Sequence, residues 1–509
     1  MPAVREPTRD ELRRYAASAH LSPSEAELDE LAEEVGDMLE AVERVERYPE
    51  PPAPLRSADG PRESRRASEG EDPHNAWITR CRVAGAADGA LAGRTVGLKD
   101  SIALAGVEMT CGSEVLAGYV PGHDATVVSR LLDAGATIVG KLNMDAFSFS
   151  SSGATSDFGP VTVPGHPDRL AGGSSGGAAA AVAAGQCDLA IGGDQGGSIR
   201  LPSAWCGVVG LKPTRGLVPY TGIFPVDISL DHIGPLAATV ADVARCLDVI
   251  AGPDRSDGVA LDPRQPRGLE TGRYEAALDR GIAGLRVGRL AEGLGWEFSD
   301  PEVDACFERA LDALREAGAE VCDVSVPAHR RSVDLWTVIA GQGGIDLLGL
   351  EGVGIHFDGW YNTELLSVFA ERRRTRADRY PPTVKATWLL ASYLRDHFGG
   401  RHYARAQNMG LAMRAAYNHV LEDVDVMAMP TTPMLAPPRP APEEPSPPPV
   451  APHNLANTAP FDLTAHPALS VPAPRPAGAL PVGVMLVGRH FDEATLLRAG
   501  RALESAAAG

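Results

Sequence analysis

Apolar residues recur three and four apart at Leu28, Leu31, Val35, Leu39 and Val42. This spacing predicts a helix over residues 21–46 with a single apolar stripe. Ser22 stands at the cap of that helix, Pro23 at its first position and Glu25 where a capping box places its acid. Residues 51–76 then turn rich in Pro, Gly, Ser and charge, the composition of a linker. From about Ile78 the pattern changes again. Short apolar runs such as TVGLK, TIVGKLN and DLAIGGD read as buried strands. They alternate with helical periods, among them DATVVSRLLDAGA, GGAAAAVAAGQ and PEVDACFERALDALREAGAE. VDVMAMP, LPVGVMLVGRH and DEATLLRAGRALESAA repeat the theme near the end. The alternation predicts an α/β fold: a large mixed β-sheet covered by helices on both faces, preceded by an N-terminal helical extension. The expected organisation is a helical segment over 1–50, a linker over 51–76 and a catalytic domain over 77–509. A Pro-rich surface excursion is expected near 433–452.

Charge narrows the partners. Lys and Arg number 47 against 67 for Asp and Glu, a net charge of −20. That excess disfavours nucleic acid or an anionic membrane surface as a main partner. Seven scattered cysteines without a CxxC pair read as reduced thiols, with no zinc site expected. The N-terminus has no apolar core of the kind a signal peptide carries, and no run approaches a membrane span, so a cytoplasmic location is expected.

Three segments carry candidate chemistry. AGGSSGGAAAAVAAG runs from a glycine-rich turn into an alanine-rich helix, which a flexible linker does not do. It lacks the lysine of a GxxxxGK[ST] phosphate loop, leaving a serine displayed on a tight turn or a structural loop. GGDQGGSIR follows the strand DLAIGGD, so Ser198 stands just past a strand end. Gly196 and Gly197 leave backbone N–H groups free to face a substrate oxygen, as an oxyanion hole requires. Asp194 and Arg200 flank the turn and can hold it as an ion pair. A nucleophilic serine needs a base, yet neither segment contains a histidine and no GxSxG forms. The third segment, VGLKDSIAL, offers Lys99 at the end of an apolar strand: either a snorkelling edge lysine or a desolvated, neutral base.

Lys99 in GLKD, then GGSSGG, then GGSIR twenty-four residues after the first serine of that pair, resembles the amidase signature family. SLDHIGP and NTAPFDLTAHPALSVPA are similar to it as well, and the match covers about residues 77–509. The resemblance implies a Ser–cis-Ser–Lys triad of nucleophile Ser198, bridging Ser174 and base Lys99. It also implies a cis peptide bond at Gly173–Ser174, an oxyanion hole from the N–H groups of Gln195, Gly196, Gly197 and Ser198, and no metal or organic cofactor. Gln195, CGVVGLKPTRGLVPYTGIFPVD and the helical extension look like the actinobacterial, nitrile-pathway amidases. From that likeness follow the expectations of small aliphatic or aromatic primary carboxamides as substrates, an acyl pocket including Phe149 and Trp336, and a homodimer formed through the N-terminal helices. The alternatives are cleavage of carbamates, anilides or peptide amides, amide formation, and an amidotransferase component that passes ammonia to a partner. The helical arm, the linker and Gln195 weigh against the last. An intact Lys99, Ser174 and Ser198 weighs against a non-catalytic binding protein on the same scaffold.

Overall fold

The structure is a computed structural model; it describes all residues except 1–3, 59, 69, 352–358, 442–451 and 508–509. Half of the Pro-rich excursion, residues 442–451, therefore lies outside the described residues. The chain divides into two compact units, Met1–Pro54 and Leu55–Gly509.

The first unit is a helical pair, α1 (Arg9–Ser18) and α2 (Glu25–Arg47), each opened by a capping box. α2 begins two residues later than its sequence suggests. Ser24 and Glu27 repeat the spacing of Ser22 and Glu25, and Ser24 caps Glu27. Arg13 joins the helices through Glu25 at 2.7 Å. Leu28 is buried, whereas Leu31, Met38, Val42 and Val45 remain exposed.

The second unit is built on one twelve-stranded mixed sheet. In chain order its strands are Ser64–Arg66, Trp77–Ala84, Thr95–Lys99, Thr137–Leu142, Leu189–Asp194, Val209–Lys212, His232–Ala237, Arg286–Leu290, Glu320–Val324, Val426–Pro430, Ala468–Pro472 and Gly483–Gly488. Strand Thr95–Lys99 runs parallel to both its neighbours, Thr137–Leu142 and Leu189–Asp194. Leu189–Asp194 pairs antiparallel with His232–Ala237 on its other side. The edge strand Ser64–Arg66 falls inside the stretch whose composition reads as linker; three residues free of Pro and Gly suffice to extend the sheet. Arg62, just before it, is anchored on Asp124 at 2.5 Å.

Strand periodicity shows how both faces fill. Leu189 and Ile191 enter one core with the helices Thr126–Asp133 and Val240–Ile250, and Ala190 between them enters a second core with Gly176–Ala183. Val484 and Leu486 likewise face the first core while Met485 and Val487 face a third. A side-chain period of two produces this division when both faces are covered. Among the described residues no helix is long and apolar enough to cross a membrane.

Candidate active site

Two parallel strands end side by side and bring two of the candidate residues together: Thr95–Lys99 terminates in Lys99, and Leu189–Asp194 runs straight into the turn that carries Ser198. The glycine-rich turn before helix Gly176–Ala183 brings Ser174 and Ser175 against them. Lys99 Nζ lies 2.6 Å from Ser174 Oγ and 3.4 Å from the Gly193 carbonyl. The Ser175 hydroxyl donates to that same carbonyl at 3.0 Å, and its N–H donates to the Ser198 carbonyl at 3.2 Å. The Gly173–Ser174 peptide bond is cis. Lys99, Ser174 and Ser198, far apart in the chain, thus sit on one wall.

Burial changes what Lys99 can do. It is fully enclosed, and desolvation lowers its pKa from the ordinary 10.5 to about 8 against the pull of Asp194 and Asp145. The amine is therefore substantially neutral at mildly alkaline pH, and its one short contact is to a hydroxyl.

The GGDQGGSIR turn is fixed by its own ends. Arg200 reaches Asp194 Oδ1 at 2.8 Å and Asp462 Oδ2 at 2.6 Å, all three side chains buried. Burial alone pushes the Asp194 carboxyl up, but Arg200 and the surrounding donors hold it well below the ordinary carboxylate range. Asp194 also accepts the N–H of Gly197 at 2.6 Å and that of Ile199 at 3.0 Å. Gly197, counted by sequence among the oxyanion donors, thus spends its N–H on Asp194. Its φ of +142° and the closeness of Thr458 explain why glycine stands there. Gly196 faces Trp336, whose indole would lie 2.7 Å from any Cβ added at 196. The Trp336 Nε1–H donates to the Gln195 carbonyl at 2.6 Å, and the Thr458 hydroxyl donates to the Gly196 carbonyl at 2.6 Å. Phe149, the other aromatic picked out by sequence, is half-buried and lies against Gly344, one helical segment beyond Trp336.

Several residues at this site escape a linear reading. Asp231 and Tyr220 hold the Gln195 side chain, each 3.1 Å from its Nε2. Thr458 and Asp462 come from the far C-terminal half. The segments SLDHIGP and NTAPFDLTAHP contain three of these four, but nothing in their local pattern says which side chain turns inward. His232 is buried with its Nδ1 2.7 Å from the Leu230 carbonyl, and desolvation holds its pKa well below 6.5. It is a neutral packing element beneath Asp462, 3.4 Å away.

Comparison with known proteins shows the family and the fold. Residues 74–497 match the family described as Amidase. A glutamyl-tRNA(Gln) amidotransferase subunit of Natronomonas pharaonis is 44% identical over 84% of this chain and 99% of its own length. An enantioselective amidase of Rhodococcus rhodochrous is 41% identical over 92% of this chain and 90% of its own. The crystal structure of the corresponding amidotransferase subunit from Thermotoga maritima superposes with a TM-score of 0.70 at 32% identity, covering 85% of this chain and 88% of that one.

These relatives overturn one expectation, that of a homodimer whose only other partner is a small amide. Natronomonas, Haloarcula and Halobacterium proteins at 42–44% identity are all named as subunits of a glutamyl-tRNA(Gln) amidotransferase, which points to protein partners instead. The discrepancy has a physical origin. The apolar stripe of α2 fits a dimer contact, but apolar burial is non-directional: an exposed stripe asks for a cover without specifying a second copy. The large mixed sheet with helices on both faces is that of this fold, and the chain belongs to the amidase family.

Proposed function

We propose that this protein breaks the C–N bond of a carboxamide through a seryl acyl-enzyme. The observation that carries the reading is the 2.6 Å contact between a buried, low-pKa Lys99 and the Ser174 hydroxyl, beside the turn bearing Ser198. Neutral Lys99 accepts the Ser174 proton as Ser174 accepts that of Ser198, and Ser198 Oγ attacks the amide carbon. The N–H groups of Gln195, Gly196 and Ser198 receive the developing oxyanion; the Gly197 N–H instead keeps the turn in shape through Asp194. Collapse breaks the C–N bond, and Ser174 returns a proton to the departing nitrogen. Water then attacks the acyl-enzyme, releasing the acid and restoring Ser198. Trp336 and Phe149 are proposed to line the acyl side of the site, the first against Gly196 and the second against Gly344.

Two fates for the ammonia have separate support. The relatives named as amidotransferase subunits favour delivery to an acceptor held by a partner protein. The enantioselective amidase, which matches more of this chain, favours release to water; the substrate proposed for that fate is a small aliphatic or aromatic primary amide. The test is ammonia release by wild type, Ser198→Ala and Lys99→Ala from acetamide, benzamide, L-glutamine and a peptide amide. Ser198 is labelled in parallel with a fluorophosphonate. Turnover by the isolated chain, lost in both variants, supports release to water. Rapid labelling of Ser198 without turnover supports a partner-dependent enzyme. Turnover that survives Ser198→Ala overturns the acyl-enzyme reading.

A further inference from the structure

We infer that Asp231, outside the serine–lysine triad, is the positioning residue that aims the oxyanion-binding turn, acting through the side chain of Gln195. The inference rests on the acyl-enzyme reading above and extends it to a group outside the triad that acts through Gln195.

The Gln195 amide is tethered from below and its main chain from above. Nε2 donates to Asp231 Oδ1 and to the Tyr220 hydroxyl, both at 3.1 Å, while the main-chain carbonyl accepts the Trp336 indole N–H at 2.6 Å. Gln195 is 4% exposed, and its Oε1 has no hydrogen-bond partner among the described residues. The orientation of the amide is thus set by what Nε2 finds, and a carboxylate is the stronger of its two acceptors. Asp231 is itself held: both its oxygens lie 3.2 Å from the Val226 N–H. With Asp231 removed, Nε2 keeps one neutral acceptor and the side chain can swing. The adjoining N–H groups of Gln195 and Gly196 then lose their fixed direction.

The tether also shares a wall with the base. A side-chain atom added at Gly193 would sit 3.5 Å from Gln195 Nε2 and 3.7 Å from Lys99 Nζ. The charged and titratable groups facing Asp231 are Lys99, Tyr220, Asp227 and Arg264, the last already paired with Asp262 at 2.5 Å. Burial pushes the Asp231 carboxyl up to about 7, with Arg264 pulling it back and Asp227 adding to the rise. Above that pH Asp231 is an anion, and its charge favours protonated Lys99. The same group therefore aims the turn and raises the pH at which the base becomes free.

The experiment follows the rate of Ser198 labelling by a fluorophosphonate from pH 6 to 10, a reaction that needs no amide substrate. Wild type is compared with Asp231→Ala, Asp231→Asn and Tyr220→Phe, with thermal unfolding of each. Asp231→Ala is expected to slow labelling about 10- to 100-fold, somewhat less than outright loss of an oxyanion donor. Asp231→Asn retains a neutral acceptor; its plateau rate falls several-fold and its rising limb moves to lower pH, because the anion that favours protonated Lys99 is gone. A purely structural role would lower the plateau and leave the limb in place. Tyr220→Phe is expected to lose less than Asp231→Ala. Should Asp231→Ala not fold, Asp231→Asn and Tyr220→Phe decide the matter. An Asp231→Asn protein with wild-type plateau and limb overturns the inference while leaving the acyl-enzyme reading intact. Absence of Ser198 labelling in wild type at every pH removes both.

Discussion

Substituting Gly197→Ala tests the central geometric claim, that the turn before Ser198 has no room for a side chain. The added Cβ would lie 2.8 Å from the Thr458 Cβ and closer still to its Oγ1. Thr458 cannot simply rotate away, since that hydroxyl donates to the Gly196 carbonyl at 2.6 Å. The φ of +142° adds backbone strain of about 1–3 kcal/mol for a residue with a Cβ. Losing the threonine hydrogen bond adds about 1 kcal/mol. The sum, about 2–4 kcal/mol, corresponds to a loss of roughly 30- to 900-fold in the rate of Ser198 acylation if the turn bears it all in the transition state. Fluorophosphonate labelling reads that rate, and thermal unfolding reads whatever part is absorbed as lost stability. Adding Thr458→Ala to Gly197→Ala relieves the contact with Oγ1 but leaves the Cβ contact, the lost hydrogen bond and the φ strain, so it should recover only a small part of the loss. A Gly197→Ala protein with wild-type rate and melting temperature would show that the turn has room for a side chain.

Lys99→Met should abolish labelling yet stabilise the fold at pH 7. The buried amine has a folded pKa of about 8 against an ordinary 10.5, so the unfolded chain binds more protons between those values and stability rises with pH through that window. Below pH 8 the penalty is complete, and removing it is worth up to about 3 kcal/mol in thermal or urea unfolding; no gain would show that Lys99 is not desolvated. In wild type the labelling rate should climb through about pH 8 as Lys99 becomes neutral, and a flat profile across pH 7–9 would contradict its role as base. Arg200→Met leaves the Asp194 and Asp462 carboxylates buried without their shared cation, and should cost about 3–5 kcal/mol in urea unfolding. Trp336→Phe keeps an aromatic ring over Gly196 but strips the Gln195 carbonyl of its donor, and should reduce labelling several-fold while costing about 1–3 kcal/mol in urea unfolding.

Much of the fold is written in local pattern. The strand runs TVGLK and TIVGKL lie where their β-branched, apolar composition puts them, because that composition suits a surface buried on both sides. The helix 301–316 follows from its apolar spacing and the Asp300 cap. Where local signals repeat, as at Ser22 and Ser24, the sequence leaves the start of a helix open by two residues and packing chooses. Lys99, Ser174 and Ser198 are legible for a related reason: a lysine in an apolar run and serines in glycine-rich turns are anomalies against their own surroundings. The residues that aim them carry no such mark. Asp231 lies 36 residues from Gln195, Trp336 lies 141 from it, and Thr458 lies 262 from Gly196. Each is an ordinary side chain in an ordinary segment, selected by which strands and helices converge there. By itself the sequence determined the element types, the alternation that builds a mixed sheet, and the serines and lysine with their glycines, since backbone sterics and desolvation act within a few residues. The strand order, the engagement of the Gly197 N–H by Asp194 and the tethering of Gln195 come from tertiary packing instead. Those depend on contacts between segments whose separation along the chain leaves no periodic trace in either one.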